Sequence, residues 1–433
     1  MKIIAIVGFG FCGKLAFANI VKSLNKKDKI LIFDKAQGDC KSAAFSPFSP
    51  HYILNVPVAN MSAFSDDAAY EESFENFLKN NHSEIWKSSG KFGFVARQIY
   101  GEYLEEIVQK AQENAKKNGV NFEFVNQEVM AISDEFLITT KNNIQFQATE
   151  VLLATSFKQV QLPFEIESKK FIKALWNEDA LEFHQKILTN ETICLIGSGL
   201  TTVDVIVGLK KKNFSGKIII ISRRGNLPKK HLIKSSEKSS YFIDAEDAKK
   251  GLLFLCLKIR NFLKSNSQFD LRNIINSIRS TTDKLWHNLD EKNKKLFFRL
   301  MPYWNIFRHR APISSIELIE EMIAAGQIEI VEGGVKKCQK LGDKISVQTK
   351  FAEFEVDYLV NCLGFEFNAR KYPLLNQMIE LGLLQQDFMM VRSNNDKVHL
   401  LGGLNIGRDF ECTAVPDLRV NVEMVVRDVV GSS

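Results

Sequence analysis

Two apolar runs, each broken by a glycine-rich turn, lie 189 residues apart in this 433-residue chain and share one spacing to the next informative position. The first reads Ile3-Ile4-Ala5-Ile6-Val7-Gly8-Phe9-Gly10-Phe11-Cys12-Gly13, and 26 residues beyond Gly8 the run Ile30-Leu31-Ile32-Phe33 ends in Asp34. The second reads Ile193-Cys194-Leu195-Ile196-Gly197-Ser198-Gly199, and 26 residues beyond Gly197 the run Ile218-Ile219-Ile220-Ile221 ends in Ser222-Arg223-Arg224. A buried strand that enters a helix through such a turn opens a βαβ unit. The chain is therefore expected to be α/β, with two Rossmann-like dinucleotide-binding domains.

The register is the same in both units and the charge is opposite. A glycine turn lets backbone N–H groups and the helix dipole meet a pyrophosphate. A carboxylate at the end of the next strand accepts from a ribose 2′-hydroxyl, whereas arginines there pair with a 2′-phosphate. The first unit thus suits the adenosine of FAD or NAD, and the second suits NADP(H). Thr202 stands where a third glycine or alanine is usual, so helix and strand are expected to pack less closely there.

A formal charge of +6 is nearly balanced, with lysines spread over solvated stretches such as 229–250. No basic stripe carries the interleaved aromatics that single-stranded nucleic acid requires, which argues against that partner. Cys12, Cys40, Cys194, Cys256, Cys338, Cys362 and Cys412 form no C-x-x-C pair. That pattern fits a reducing cytoplasm, and neither a zinc site nor a dithiol reductase mechanism. No apolar run reaches the ~18 residues needed to span a bilayer.

Between the two turns, the proline-rich segment 46–57 reads as a long functional loop. The periodicity predicts a helix over 100–118 and strands near 122–125, 135–140, 144–148 and 151–155, the last a buried parallel strand returning to the sheet edge. From 229 to 326 the pattern is almost wholly helical, an insertion or cap on the second unit. Strands resume at 328–331, 345–347, 357–364 and 398–404, and a final helix runs from about Pro416 to Val430. These segments divide the chain into an FAD-binding domain, 1–165 with 366–433, and an NAD(P)H-binding domain, 166–365.

The set Leu54-Asn55-Val56-Pro57 with Met61-Ser62, Ala96 to Leu104, Ser222-Arg223-Arg224-Gly225 with Pro228 and His231, Trp304 with Arg308-His309-Arg310, Asn361 to Gly364, and Glu411 to Arg419 resembles the bacterial FAD/NAD(P)-binding proteins of the YdhS-like type. That family is similar to flavin-containing and amine N-hydroxylating monooxygenases. The resemblance implies bound FAD, with NAD(P)H as electron donor. It supplies no substrate, although some related sequences are amino-acid N-hydroxylases. The chain departs from the pattern at Ser156, usually glycine, and at Phe410, usually a bulkier aromatic. Ser156 raises the question of a linker needing positive φ.

On this reading Gly8, Gly10, Phe11, Cys12 and Gly13 cradle the FAD pyrophosphate and Asp34 holds its ribose, with Lys35, Val129, Ala154 and Thr155 counted in the same site. Asn55 and Val56 are expected against the flavin ring, and Arg97 near the FAD phosphate or ribitol. The N–H groups of Thr413, Ala414 and Val415 are placed to stabilise the negative charge of reduced flavin. Gly197, Gly199, Leu200 and Thr201 take the NADP(H) pyrophosphate, and Ser222, Arg223 and Arg224 its 2′-phosphate. Gly364 and Gly403, in strands that end in glycine, complete the cofactor set. His231 and the Arg308-His309-Arg310 cluster face the nicotinamide or substrate, Cys362 is inert packing, and the helix start beside Cys12 is expected to lower its thiol pKa. No catalytic side chain is assigned.

The function that follows is an FAD-dependent, NADPH-using oxidoreductase of monooxygenase type, with hydride passing from NADPH to the flavin and a small-molecule substrate, an amine or amino acid by resemblance. Two alternatives stand beside it: a reductase or oxidase passing electrons to a quinone or protein, and a non-catalytic FAD/NADP(H) sensor.

Overall fold

The computed structural model describes residues 1–24, 26–35, 43–45, 51–65, 71–176, 178–232, 242–410 and 412–431. Segment 46–50 of the proline-rich loop, residues 233–241 of the lysine-rich stretch, Cys40 and Glu411 lie outside the described residues.

Ile4, Ala5 and Ile6 are fully buried because their strand, Ile3–Val7, lies in the middle of a five-stranded parallel sheet. Its order is Val398–Leu400, Glu150–Leu153, Ile3–Val7, Lys29–Phe33, Asn121–Val125. Strands buried on both faces must be apolar, which is why the central runs Ile3–Val7 and Lys29–Phe33 do not alternate, whereas the edge strand Asn121–Val125 does. The second sheet repeats the plan in the order Phe171–Ile172, Tyr358–Asn361, Ile193–Ile196, Ile218–Ser222, Ile328–Glu332, again all parallel. Equivalent registers pair Ile4 with Ile30 and Ile193 with Ile218.

The likeness extends beyond the glycine turns. In each unit a helix follows the first strand, a largely helical segment separates the second strand from the third, and a three-stranded antiparallel meander precedes the fourth. The meanders are Val129–Ile132, Leu137–Thr140, Gln145–Gln147 and Lys337–Leu341, Lys344–Gln348, Glu353–Val356. Strand Glu150–Leu153, expected at the sheet edge, is internal: the late strand Val398–Leu400 pairs outside it and takes the edge.

Helices Phe11–Val21, Arg97–Asn118 and Val415–Gly431 cover one face of the first sheet through Leu15, Phe17, Tyr100, Leu104 and Val422. Each such fully buried large side chain contributes roughly 1.5–3 kcal/mol. The helical segment between Ser222 and Ile328 does not cap its own unit alone. Its Trp286, Phe297 and Trp304 pack around Phe410 with ring centroids 5.0–5.5 Å away. Trp286 also donates its Nε1–H to Gly407 O at 2.9 Å. Apolar periodicity reveals that such helices have a buried face but not which unit receives it. Among the described helices of the segment only the last, Ile313–Ala324, joins the core of the second sheet, through Ile316, Ile319 and Met322.

Candidate cofactor and reaction site

In the first glycine turn the three glycines do different work. Gly8 has φ +97°, and a Cβ there would lie 2.8 Å from Ala154 O. A Cβ on Gly13 would lie 2.1 Å from Gly8 O, so both positions are sterically closed. Gly10, the N-cap of helix Phe11–Val21, has nothing within 4 Å of a Cβ position. The turn is therefore packed behind and open above the helix start, where the first N–H groups have no intrahelical acceptor. This is the shape a pyrophosphate requires. Thr155 Oγ1 and Tyr100 OH are buried without a protein partner, Thr155 directly after the residue that packs on Gly8 and Tyr100 with its ring 6.3 Å from that of Phe11. These orphaned hydroxyls fit a polar cofactor. Asp34 accepts from Phe9 N at 2.6 Å, which ties the end of the second strand to the turn.

The second turn follows the same plan with one substitution. Gly197 has φ +111° and a Cβ would meet Cys362 O at 2.7 Å, while Gly199, again the N-cap, is open. Thr202, at the position of Gly13, donates its hydroxyl to Gly197 O at 2.7 Å. A hydrogen bond thus stands where Gly13 makes a direct backbone contact in the first turn. Ser222 steadies the turn that carries Arg223 and Arg224: its Oγ accepts from Gly225 N at 3.0 Å and its carbonyl from Gly333 N at 2.9 Å. Arg223 is exposed, and the Arg224 guanidinium rests over the Tyr303 ring at 4.7 Å.

The two units meet across a buried polar seam. His231 Nε2 lies 3.0 Å from Asn55 O, and Tyr52 OH lies 2.8 Å from His184 Nε2. Burial, reinforced by Lys212, pushes the His184 imidazole down to about 4, so this ring is neutral at physiological pH. Arg97, expected at the FAD phosphate or ribitol, places Nη2 3.0 Å from Asp204 Oδ2 on helix Leu200–Lys211, while its Nε is buried without a protein partner. Burial raises the Asp204 carboxyl above its usual range, and the Arg97 guanidinium opposes that rise. Nothing in the sequence pairs two residues 107 positions apart, and an arginine at a helix start reads equally as a phosphate ligand.

Other expectations sort as follows. Cys12 is buried, and burial pushes its thiol up to about 12, overturning the lowered value expected beside a helix start. Desolvation outweighs the dipole there. Cys362, also pushed up to about 12 by burial, is inert packing as expected. Ser156 is absent from the positive-φ residues, so its position makes no demand for glycine. Val56 packs against the apolar core beside the first turn. Lys35 is exposed, Val129 is buried in its meander, and Gly364 is exposed. A Cβ on Gly403 would meet Phe157 at 3.6 Å, an ordinary contact. Leu200 and Thr201 form the first turn of their helix, and Thr413 and Ala414 immediately precede the helix that Val415 begins.

Two glycine turns on two parallel sheets, joined across a buried seam, define a two-dinucleotide-binding α/β protein. Residues 5–158 match the family model described as FAD-NAD(P)-binding. No curated protein sequence matches the chain. Over its whole length the structure is similar to an ornithine hydroxylase from Pseudomonas aeruginosa, at 14% identity and a TM-score of 0.66, covering 99% of this chain and 98% of that one. It is similar to an ornithine N-hydroxylase from Kutzneria sp. 744, at 14% identity and 0.65, covering 100% and 99%. An L-lysine 6-monooxygenase from Pseudomonas syringae follows at 13% identity and 0.63, covering 100% and 98%. At such identity the likeness is one of fold, and the fold is that of these two-dinucleotide enzymes.

Proposed function

We propose that the chain is an FAD- and NADPH-dependent oxidoreductase of monooxygenase type acting on a small amine or amino acid. One observation carries the reading: two open glycine turns in the same fold register, one ending its second strand in Asp34 and the other in Arg223-Arg224. The family model over 5–158 and the hydroxylase fold support it. The proposed FAD-binding domain is 1–165 with 366–433 and the NADPH-binding domain is 166–365. The thiols of Cys12, Cys194 and Cys362, all free, support a cytoplasmic setting. No helix among the described residues is long and apolar enough to cross a membrane.

A flavin held here would supply the redox chemistry, hydride acceptance from NADPH and reduction of dioxygen. The chain binds and orients. The Gly10 turn and the Gly199 turn offer backbone donors to the two pyrophosphates, and Asp34 takes the FAD ribose. Arg223 and Arg224, on a turn pinned by Ser222, pair with the 2′-phosphate. Asn55, fixed through its carbonyl to His231, holds the loop at the seam, and the Arg97–Asp204 and Tyr52–His184 contacts keep water out of it.

The test is anaerobic. The purified protein should show a flavin band at about 450 nm that NADPH bleaches faster than NADH. A yellow protein that neither nucleotide bleaches would remove the enzyme reading in favour of a cofactor-binding sensor.

A further inference from the structure

Four guanidiniums gather where helices of the second unit reach the first. Arg272 stands in helix Leu271–Ile278, Arg279 just past its end, and Arg308 and Arg310 at and beyond the end of helix Glu291–Arg308. Two carboxylates face them. Asp270 is chelated by Arg272, with Nε at 2.8 Å and Nη2 at 2.5 Å from Oδ2. Asp417 is shared by Arg279 at 3.0 Å and Arg308 at 3.1 Å.

Arg310 is left over. It is 8% exposed, its Nη2 donates to Asn276 Oδ1, and its Nε is buried without a partner. Among the described residues no carboxylate pairs with it. Burial, then the neighbouring Arg308, Arg272 and Arg279, pull its pKa down to about 10, and the Asp270 carboxylate, already chelated by Arg272, opposes that fall without touching Arg310. A buried guanidinium with no counter-charge is strongly unfavourable, and such groups are found paired. Among the described residues four guanidiniums face two carboxylates, and Arg310 is the one that neither carboxylate touches.

The cluster adjoins the seam already described. His231 N donates to Ala311 O, the residue after Arg310, and the His231 ring touches Asn55 O. Asp417 lies in the first turn of the helix that follows Thr413 and Ala414. We infer that Arg310 is the counter-charge of an anionic group, a carboxylate or phosphate, on the small molecule that enters this seam. The placement at a reaction site rests on the proposed function, whereas the charge deficit does not. Arg suits this task because its planar fork meets both oxyanions with two parallel hydrogen bonds.

The experiment follows the melting temperature of the flavin-loaded full chain during titration with inorganic phosphate or succinate at constant ionic strength. At a hundredfold excess over Kd, wild type should gain about 5–11 °C, and Arg310→Gln should gain none. Without added anion, Arg310→Gln should melt at or above wild type, because it removes an uncompensated buried charge, and Arg310→Met should do the same. A full response in Arg310→Gln, or both variants melting well below wild type without anion, would overturn the inference in favour of a structural arginine. Saturating NADP+ separates the sources: loss of the response assigns the anion to the nucleotide, and its persistence assigns it to the substrate. Flavin bleaching is scored separately in wild type, so its failure would remove the proposed function and leave the anion response standing.

Discussion

Removing one member of the Arg97–Asp204 pair should reveal what the other costs when left alone. The two atoms are 3.0 Å apart and the side chains 15% and 4% exposed, so solvent screens them little. Stranding one charge of a buried pair costs about 3–5 kcal/mol, which for a unit of this size is about 6–20 °C in Tm. Asp204→Asn leaves the guanidinium, which cannot discharge, and should show the full loss at every pH. Arg97→Met leaves a carboxyl whose pKa burial already holds above its usual range and which loses the opposing guanidinium, so its pKa rises further.

Between the unfolded value and that raised value the native state keeps a proton the unfolded chain has lost, and stability falls as pH rises. Arg97→Met should therefore be mild near pH 5 and severe near pH 8. The double variant removes both charges and should recover most of the loss. Unfolding of the flavin-loaded chain, followed by circular dichroism and by flavin fluorescence at both pH values, gives the cycle. Two single losses below about 1 kcal/mol that simply add in the double variant are the signature of an exposed pair and would refute this argument.

Three further outcomes are expected. Arg223→Ala with Arg224→Ala should weaken NADPH binding by about tenfold to a hundredfold, the worth of one or two charge-assisted hydrogen bonds, and barely change NADH binding; equal losses in both titrations would remove these arginines as phosphate readers. Gly10→Val should yield colourless protein of native circular dichroism, since the side chain fills the open space above the helix start; a fully yellow variant places FAD elsewhere. Iodoacetamide at pH 8 should label exposed Cys256 well before Cys12, whose thiol stays protonated, as peptide mass spectrometry will report; early labelling of Cys12 would contradict its burial.

Much of this architecture is readable in the residues because it is local. Ile3 to Asp34 and Ile193 to Arg224 state strand, turn and helix in one continuous stretch each, and in the structure the matched position at the end of the second strand is Asp34 in one unit and Ser222, just before Arg223, in the other. The helix expected over 100–118 begins at Arg97, and the final helix runs Val415–Gly431. What escaped the sequence is non-local. Phe171–Ile172 is two residues long and carries no periodicity, and the strands Val129–Ile132 and Glu353–Val356 mix exposed and buried positions irregularly. Arg97 was assigned by its place at a helix start, although its partner is fixed by how two units dock. The helices around Trp286 advertise an apolar face without naming Phe410 as its destination.

Strand Val398–Leu400 has a consequence for biosynthesis. It completes the first sheet from a point close to the C-terminus, while the second sheet closes with Tyr358–Asn361. On the ribosome the middle unit has all its strands before the outer one does. Until residue 400 emerges, Glu150–Leu153 presents an unpaired, almost wholly buried-type edge to solvent, the kind of edge that invites pairing with other chains. The outer unit must therefore wait in a vulnerable form, and a pause in synthesis between residues 361 and 400 should cost more folded protein than the same delay earlier.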